Sequence, residues 1–454
     1  MKEVEAAAGL AVWRASRLGA DLTADHEPPG LDPLLPLLAE LTAEVADLDH
    51  VVVAGAGSGG TVLAARAITR TLGRPLTVLD TADPGPVERA IGDRLDRTVV
   101  VVAGDSDVAE AVRRAYLSAF LGAGMTEAEA TRRFVLVGDM VPAGRSALSA
   151  AALVPAALAG VDVAELVEQA RELSAALVRG GDNPARALAS ALSAGHDTVA
   201  LVSDGTGLIG LTDWVGRLLA ESLGVLPVVL EDPGSPVAGD RALTVTVGGS
   251  LGAGTVPGGG VWPDVAVNGP LGAQFLVWEH AVSMARGPAR AEREPTSSVT
   301  RRAAPKTTGT APMDAGEFTE GSVTGYGTSA GSVVEALGAL LLGSRPDGYL
   351  SITAYLDPVA DADVAKLRPL LAEVAGRPVT FGWGPQPRHP AGTHLQITGA
   401  VASDQYQLGD LEAAQAAADR AELARDGRRI VRLDLADRAS GIVQLLDAAG
   451  ALRS

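Results

Sequence analysis

The feature that most restricts what this chain can fold into is an alternation. Short runs of Val and Leu recur between longer Ala-rich segments of helical composition. A first series places strands at Val51–Ala54, Leu76–Leu79, Thr98–Ala103 and Phe134–Val137, and a second at Thr198–Ser203, Leu226–Leu230 and Ala242–Val247. Runs at Tyr349–Ala354, Val379–Gly382, Leu395–Thr398 and Arg429–Leu433 continue the second series. Strands that are apolar throughout and separated by helices imply parallel sheets covered on both faces. From Ala152 to Ala187 the chain reads as helix, with Asp182-Asn183-Pro184 as a break and a new helix start. The expected fold class is therefore α/β, with two parallel-sheet α/β/α domains in succession. Residues 1–48 predict N-terminal helices, 49–190 the first domain, 191–435 the second, and 436–454 a C-terminal helix. A Gly-, Ser-, Thr- and Pro-rich stretch near 286–331 reads as a polar excursion from the second domain.

Composition narrows the function classes. The 454 residues carry 37 Lys+Arg against 55 Asp+Glu, a net charge of −18. That balance argues against nucleic acid and against an anionic membrane surface as partners. Absence of cysteine excludes disulfides, thiolate nucleophiles and cysteine metal ligands. The most apolar stretch, Ala147 to Val161, contains Pro155 and is shorter than the roughly 20 residues a spanning helix needs. It predicts a buried helix, and with no basic-then-apolar leader pattern at the start, the expectation is a cytoplasmic protein. Lysine is scarce, being found only at Lys2, Lys306 and Lys366.

Strand Val51–Ala54 runs into Gly55-Ala56-Gly57-Ser58-Gly59-Gly60 and then a helix from Thr61. Glycines there let backbone amides approach an anion at the positive end of the helix. Gly55, Gly57 and Gly60 satisfy the G-x-G-x-x-G spacing, and Asp80 follows where a ribose-binding acid would stand, so an NAD(P)-binding oxidoreductase is one reading. A tight turn without a ligand is another.

A third reading comes from a collinear set of motifs. Gly57-Ser58-Gly59-Gly60-Thr61-Val62-Leu63-Ala64 resembles the Gly-x-Gly-Gly-Ser-x-Leu-Ala turn of glucose-6-phosphate isomerases, and Asp80-Thr81-Ala82-Asp83-Pro84 their Asp-Ser/Thr-x-Asp-Pro. Ala143-Gly144-Arg145-Ser146-Ala147-Leu148-Ser149, followed by Val154-Pro155-Ala156-Ala157-Leu158, is similar to Gly-Gly-Arg-Tyr/Phe-Ser-x-Leu-Ser … Val-Pro-Ala-Ala-Leu. Trp214 through Leu218 to Glu221-Ser222 resembles Trp-x-x-Gln-Leu-x-x-Glu-Ser. The segments Leu271–Glu279 and Gly384-Pro385…His389…Leu395-Gln396-Ile397-Thr398 complete the order, which is most similar to the branch fused to a transaldolase. The resemblance implies two sugar-isomerase (SIS) domains, a sugar phosphate ligand, aldose–ketose isomerisation of glucose 6-phosphate and fructose 6-phosphate, no cofactor or metal, and a homodimer. Residue by residue it implies Glu221 as the base, Arg145 as the charge-stabilising cation, and Gly57, Ser58, Gly59, Gly60, Thr61 and Ser106 as substrate-binding.

The chain also departs from those motifs. The aromatic residue after the arginine is absent. Where the family has Ser-Lys-Ser-Gly-Thr-Thr, this chain reads Ala103-Gly104-Asp105-Ser106-Asp107, so carboxylates stand near the phosphate position, with Asp105 expected to cap a helix. The lysine of the His-Lys-Gly-Gly-Pro segment is missing; Arg388 supplies charge of a different geometry. The place of the ring-opening histidine falls at Gln274, with His280 the nearest imidazole. His389 and His394 lack a third ligand in the sequence pattern. A non-catalytic SIS-fold subunit for sugar-phosphate binding or assembly is the alternative these losses favour.

Overall fold

The computed structural model describes residues 3–14, 34–55, 61–138, 147–178, 183–232, 234–236, 242–249, 263–291, 317–343, 348–387, 389 and 392–453. Contacts divide them into two units: 1–80, 93–235 and 241–300 form the first; 81–92, 236–240 and 301–454 form the second.

The first unit opens with strands β1 (Glu3–Ala7) and β2 (Leu10–Arg14), then helix α1 (Leu34–Glu44). There follow β3 (His50–Ala54), α2 (Thr61–Thr71) and β4 (Thr77–Leu79). Helix α3 (Pro84–Gly92) comes next in the chain but belongs to the second unit. The first unit resumes with β5 (Thr98–Ala103), α4 (Asp107–Gly122), α5 (Glu127–Thr131) and β6 (Phe134–Val137). The helical stretch is α6 (Ala150–Leu158), α7 (Val163–Val178) and α8 (Pro184–Leu192), the last capped by Asn183, whose Oδ1 accepts from Arg186 N at 3.0 Å. Then come β7 (Thr198–Ser203), α9 (Leu211–Leu223), β8 (Leu226–Val229), β9 (Leu243–Gly248), β10 (Val265–Asn268) and α10 (Leu271–Ala291). The second unit contains β11 (Phe318–Glu320), β12 (Val323–Tyr326), α11 (Val333–Leu342), β13 (Tyr349–Tyr355), α12 (Leu367–Ala375), β14 (Val379–Trp383), β15 (Gly392–Gly399), α13 (Gly409–Arg425), β16 (Ile430–Leu435) and α14 (Arg438–Ala451).

Among the described residues the strands form three sheets. The first is β4-β3-β5-β6, all parallel. The second, β8-β7-β9-β10-β2-β1, is parallel over its first four strands and antiparallel where the β1–β2 hairpin joins β10. The third, β14-β13-β15-β16-β12-β11, repeats that plan, with its own hairpin antiparallel to β16. In each, the parallel strands lie in the order second, first, third, fourth. The chain leaves the first strand on one side, returns, and continues on the other, which creates a crevice between the first and third strands at their C-terminal ends. The fold is mixed α/β with mainly parallel sheets.

Strand interiors are as dry as their sequences require: Val51–Ala54 and Val99–Val101 are buried, as are Leu350, Ile352 and Ala354. Each fully buried aliphatic side chain contributes about 1.5–3 kcal/mol. Two separate cores form, one in each unit.

Three expectations need correction. Residues 3–14 form a hairpin, not a helix. Ala8 and Gly9 turn with φ of 46° and 76°, and the outer edge of β10 supplies hydrogen-bonding partners that outweigh the helix propensity of an Ala-rich segment. The stretch 191–435, expected to be one domain, is divided between the two units: β7–β10 share a core with the first sheet, whereas β13–β16 have a core of their own. The polar excursion is structured at both ends, where α10 extends to Ala291 and β11–β12 begin at Phe318; residues 292–316 lie outside those described.

Candidate functional site

The crevice of the first sheet lies between β3 and β5. On one side, Gly55 follows β3 with its N–H bonded to Leu79 O at 3.2 Å. A Cβ there would stand 2.9 Å from Ala103 O and 3.0 Å from Val62 Cγ2, so only glycine fits between the strand ends. Residues 56–60, and with them Gly57, Ser58, Gly59 and Gly60, lie outside the described residues; Thr61 is the first residue of α2. On the other side, Gly104 turns the chain with φ +79° and donates to Val137 O at 3.0 Å. Ser106 is the cap of α4, its Oγ accepting from Ala109 N at 3.1 Å. The expectation that Asp105 caps this helix is therefore corrected by one position: Ser106 has the extended backbone of a cap, and Asp105 is exposed. Asp107 and Glu110 occupy the first turn of α4, where the helix dipole favours them. Asp80, the residue in the ribose-binding position, is bonded by Arg66 of α2 at 2.8 Å.

Glu221 lies in the last turn of α9, where Arg217 Nε donates to its Oε1. Both side chains are largely withdrawn from solvent, at 15% and 16% exposure. Helix α9 is anchored on α2: Thr71 Oγ1 accepts from Ile209 N at 3.0 Å, a Cβ on Gly210 would lie 3.9 Å from Ala67 Cα, and Asp213 sits in the field of Arg66 and Arg70. These contacts place the start of α9 on the C-terminal half of α2.

Arg145 lies outside the described residues. The chain returns at Ala147, whose N–H donates to Glu279 Oε1 of α10 at 2.6 Å. Burial pushes the Glu279 carboxyl up to about 8, against the effect of that bond. Gln274, at the place of the missing histidine, is fully buried and tied on both ends of its amide: Nε2 donates to Gly248 O and Val267 O, each at 3.0 Å, and Oε1 accepts from Trp278 Nε1. It braces β9 against β10. His280 is buried on the same helix. His389 and His394 both pack edge-on against Tyr349, whose hydroxyl donates to His389 O. Among the described residues, no group of three His, Asp or Glu side chains is arranged to hold a metal.

Among the described residues, the strand ends of the other two sheets are bridged by the protein's own side chains. In the second sheet, Asp204 follows β7 and its Oδ2 accepts from Asn268 Nδ2 of β10 at 2.7 Å, passing over Gly248 of β9. A Cβ on Gly248 would fall 1.8 Å from that oxygen. In the third, Arg438 at the start of α14 reaches in between β13 and β15. Its Nη1 donates to Asp83 at 2.6 Å and Asp361 at 3.1 Å, and its Nε to Ala400 O at 2.8 Å. Glu412 Oε2 lies 4.0 Å from Arg438 Nη2, and its other oxygen is buried with no hydrogen-bond partner among the described residues. Burial pushes Glu412 up to about 8, reinforced by Asp83, Asp361 and Asp357 and opposed by Arg438. Arg89 of α3 completes the cluster with a bidentate bond to Asp357. Sequence reasoning missed this cluster because its members are scattered from 83 to 438 with no motif spacing. Arg217 did carry a signal, since it occupies the Gln position of Trp-x-x-Gln-Leu-x-x-Glu-Ser.

No protein-family model matches the chain, and no curated protein does. Among solved structures, a glucose-6-phosphate isomerase from Chlamydia trachomatis matches with 16% identity over 58% of this chain and 71% of its own, at a TM-score of 0.44. A hypothetical protein from Thermus thermophilus matches with 14% identity over 92% and 80%, at 0.34. A candidate phosphosugar isomerase from Silicibacter pomeroyi matches with 18% identity over 58% and 94%, at 0.34.

Proposed function

We propose that the chain is a divergent relative of the glucose-6-phosphate isomerases, binding a sugar phosphate at the crevice between β3 and β5 and using Glu221 as its base. The observation that carries this reading is the placement of Glu221. A mostly buried carboxylate, paired with Arg217, lies in the last turn of a helix whose start packs on α2. The collinear motifs support it independently.

In this mechanism the substrate enters in its open-chain form. Glu221 takes the proton from C2 of the aldose as the C1 carbonyl becomes an enediolate oxygen; the C2 hydroxyl proton passes to O1, and the proton held by Glu221 returns to C1 as the C2 carbonyl forms, giving the ketose. Arg145 stabilises the oxygen on which charge develops. The phosphate is held by the amides of the Gly57–Gly60 turn with the Thr61 and Ser106 hydroxyls, and that binding energy orients the reacting carbons. Gln274 is committed to β9 and β10, so it contributes no acid for ring opening. The site's setting is read as a cytoplasmic homodimer.

A second reading, a non-catalytic sugar-phosphate-binding subunit, is favoured by Asp105 and Asp107 flanking Ser106 and by the missing lysine. A coupled assay converting fructose 6-phosphate to glucose 6-phosphate separates the two. Turnover that Glu221→Gln reduces by at least 100-fold is the expected result, and unchanged turnover in that variant removes Glu221 from the mechanism. Without turnover, a thermal shift by sugar phosphate selects the binding reading, since ligand at 100 times its Kd adds about 2.7 kcal/mol of stability. A shift by NAD(P) alone would instead favour the dinucleotide fingerprint.

A further inference from the structure

The Arg217–Glu221 pair is one that helix α9 would not select for its own stability. The more favourable order of a helical ion pair places the acid first and the base four residues later; here the base comes first. Glu221 stands two residues from the end of α9, where unpaired carbonyls form the negative end of the helix dipole and oppose a carboxylate. Both charged groups are largely removed from water, a desolvation cost that their mutual attraction offsets only in part. The helix end is already closed without them, because Gly224 adopts a left-handed conformation and its N–H bonds Ala220 O. Leu218, Leu219 and Leu223 anchor the same turn in the core. Among the described residues, Arg217 is the one cation bonded to Glu221.

We propose that Arg217 is a positioning residue for Glu221, holding its carboxylate in one orientation and offsetting its negative charge toward an anionic substrate. The proposal rests on the reading of Glu221 as the base. In a chain of net charge −18, a lone carboxylate would repel a sugar phosphate, whereas the pair presents a neutral dipole. The Gln of the resembling motif is replaced here by a cation, in a chain that lacks the motif lysines.

The test uses the full chain and the variants Arg217→Gln, Arg217→Lys, Glu221→Gln and the Arg217→Gln/Glu221→Gln double variant. With active wild-type protein, Arg217→Gln is expected to lower kcat by about 50-fold and to raise KM by a smaller factor, and Arg217→Lys to recover part of both losses. Wild-type kcat in Arg217→Gln overturns the proposal. If the wild-type protein proves inactive, or Glu221→Gln keeps full turnover, the base reading fails and this proposal with it. With Glu221 shown to be essential, a double variant no slower than Glu221→Gln supports Arg217 acting through Glu221. A further loss in the double variant overturns the proposal while leaving the base reading intact.

Discussion

The second and third sheets are built to one plan, yet their crevices are closed by opposite means. Both have four parallel strands in the order second, first, third, fourth, and both finish with an antiparallel hairpin on the fourth strand. In the second sheet a single acid, Asp204, crosses over Gly248 to the neutral amide of Asn268. In the third, a cation enters from α14 and gathers Asp83 and Asp361, with Glu412 beside it. The first sheet shares the strand order, but Gly55, Gly104 and the cap Ser106 border its crevice. Topology therefore repeats one crevice position three times, and the side chains at the strand ends differ from one sheet to the next. The third position is also the electrostatically delicate one, because its carboxylates outnumber its arginines.

That contrast can be broken most severely at Arg438. Replacing it by Ala leaves Asp83, Asp361 and Glu412 facing one another without their shared cation, and the expected loss is about 3–5 kcal/mol from the second unit. Chemical denaturation followed through Trp383 would report it; an unchanged midpoint would mean that the cluster contributes no net stability. Arg438→Lys should recover only part of the loss, since an ammonium cannot serve two carboxylates and two carbonyls in one plane.

A smaller effect sharpens the same comparison through pH. Glu412 has its folded value raised to about 8, above the ordinary carboxylate range, so the folded form keeps a proton that the unfolded chain has released. Its stabilising contribution is fully present below the ordinary carboxylate value and is lost as pH rises through about 8. Glu412→Gln should flatten that decline and make the second unit more stable than wild type above pH 8, by an amount of order 1–3 kcal/mol. Parallel stability–pH curves for the two proteins would show that Glu412 is not the titrating group.

The smallest expected effect separates a cap from a site. Ser106→Ala and Asn183→Ala each remove a side-chain bond to a helix N–H, and each should cost about 1 kcal/mol. Under the proposed function, only Ser106→Ala should also weaken binding of fructose 6-phosphate in a titration. Equal binding by both variants would remove Ser106 from the ligand crevice.

Much of this was legible in the residues. Apolar runs such as Thr98–Ala103 and Tyr349–Tyr355 mark strands because every position is buried, and the pattern records that directly. Asn183-Pro184 marked the start of α8 through cap chemistry that depends on neighbours in sequence. The hairpin at 3–14 was hidden because its Ala-rich composition favours a helix locally, and its pairing with β10 lies some 250 residues away. Of the candidate site, Glu221 could be named from its motif, but its ion pair had to be seen.

The sequence alone determined the α/β class, the positions of the parallel strands and the glycine-rich turn after β3, because each depends on burial or backbone freedom within a few residues. Tertiary structure decided which strands share a sheet, since an apolar run pairs equally well with any neighbour until the crossovers and cores select one. It also decided that Arg438 would occupy the third crevice, and that Glu221 would be held by Arg217 rather than face solvent. Those outcomes depend on distances between charges, which no local pattern of residues encodes.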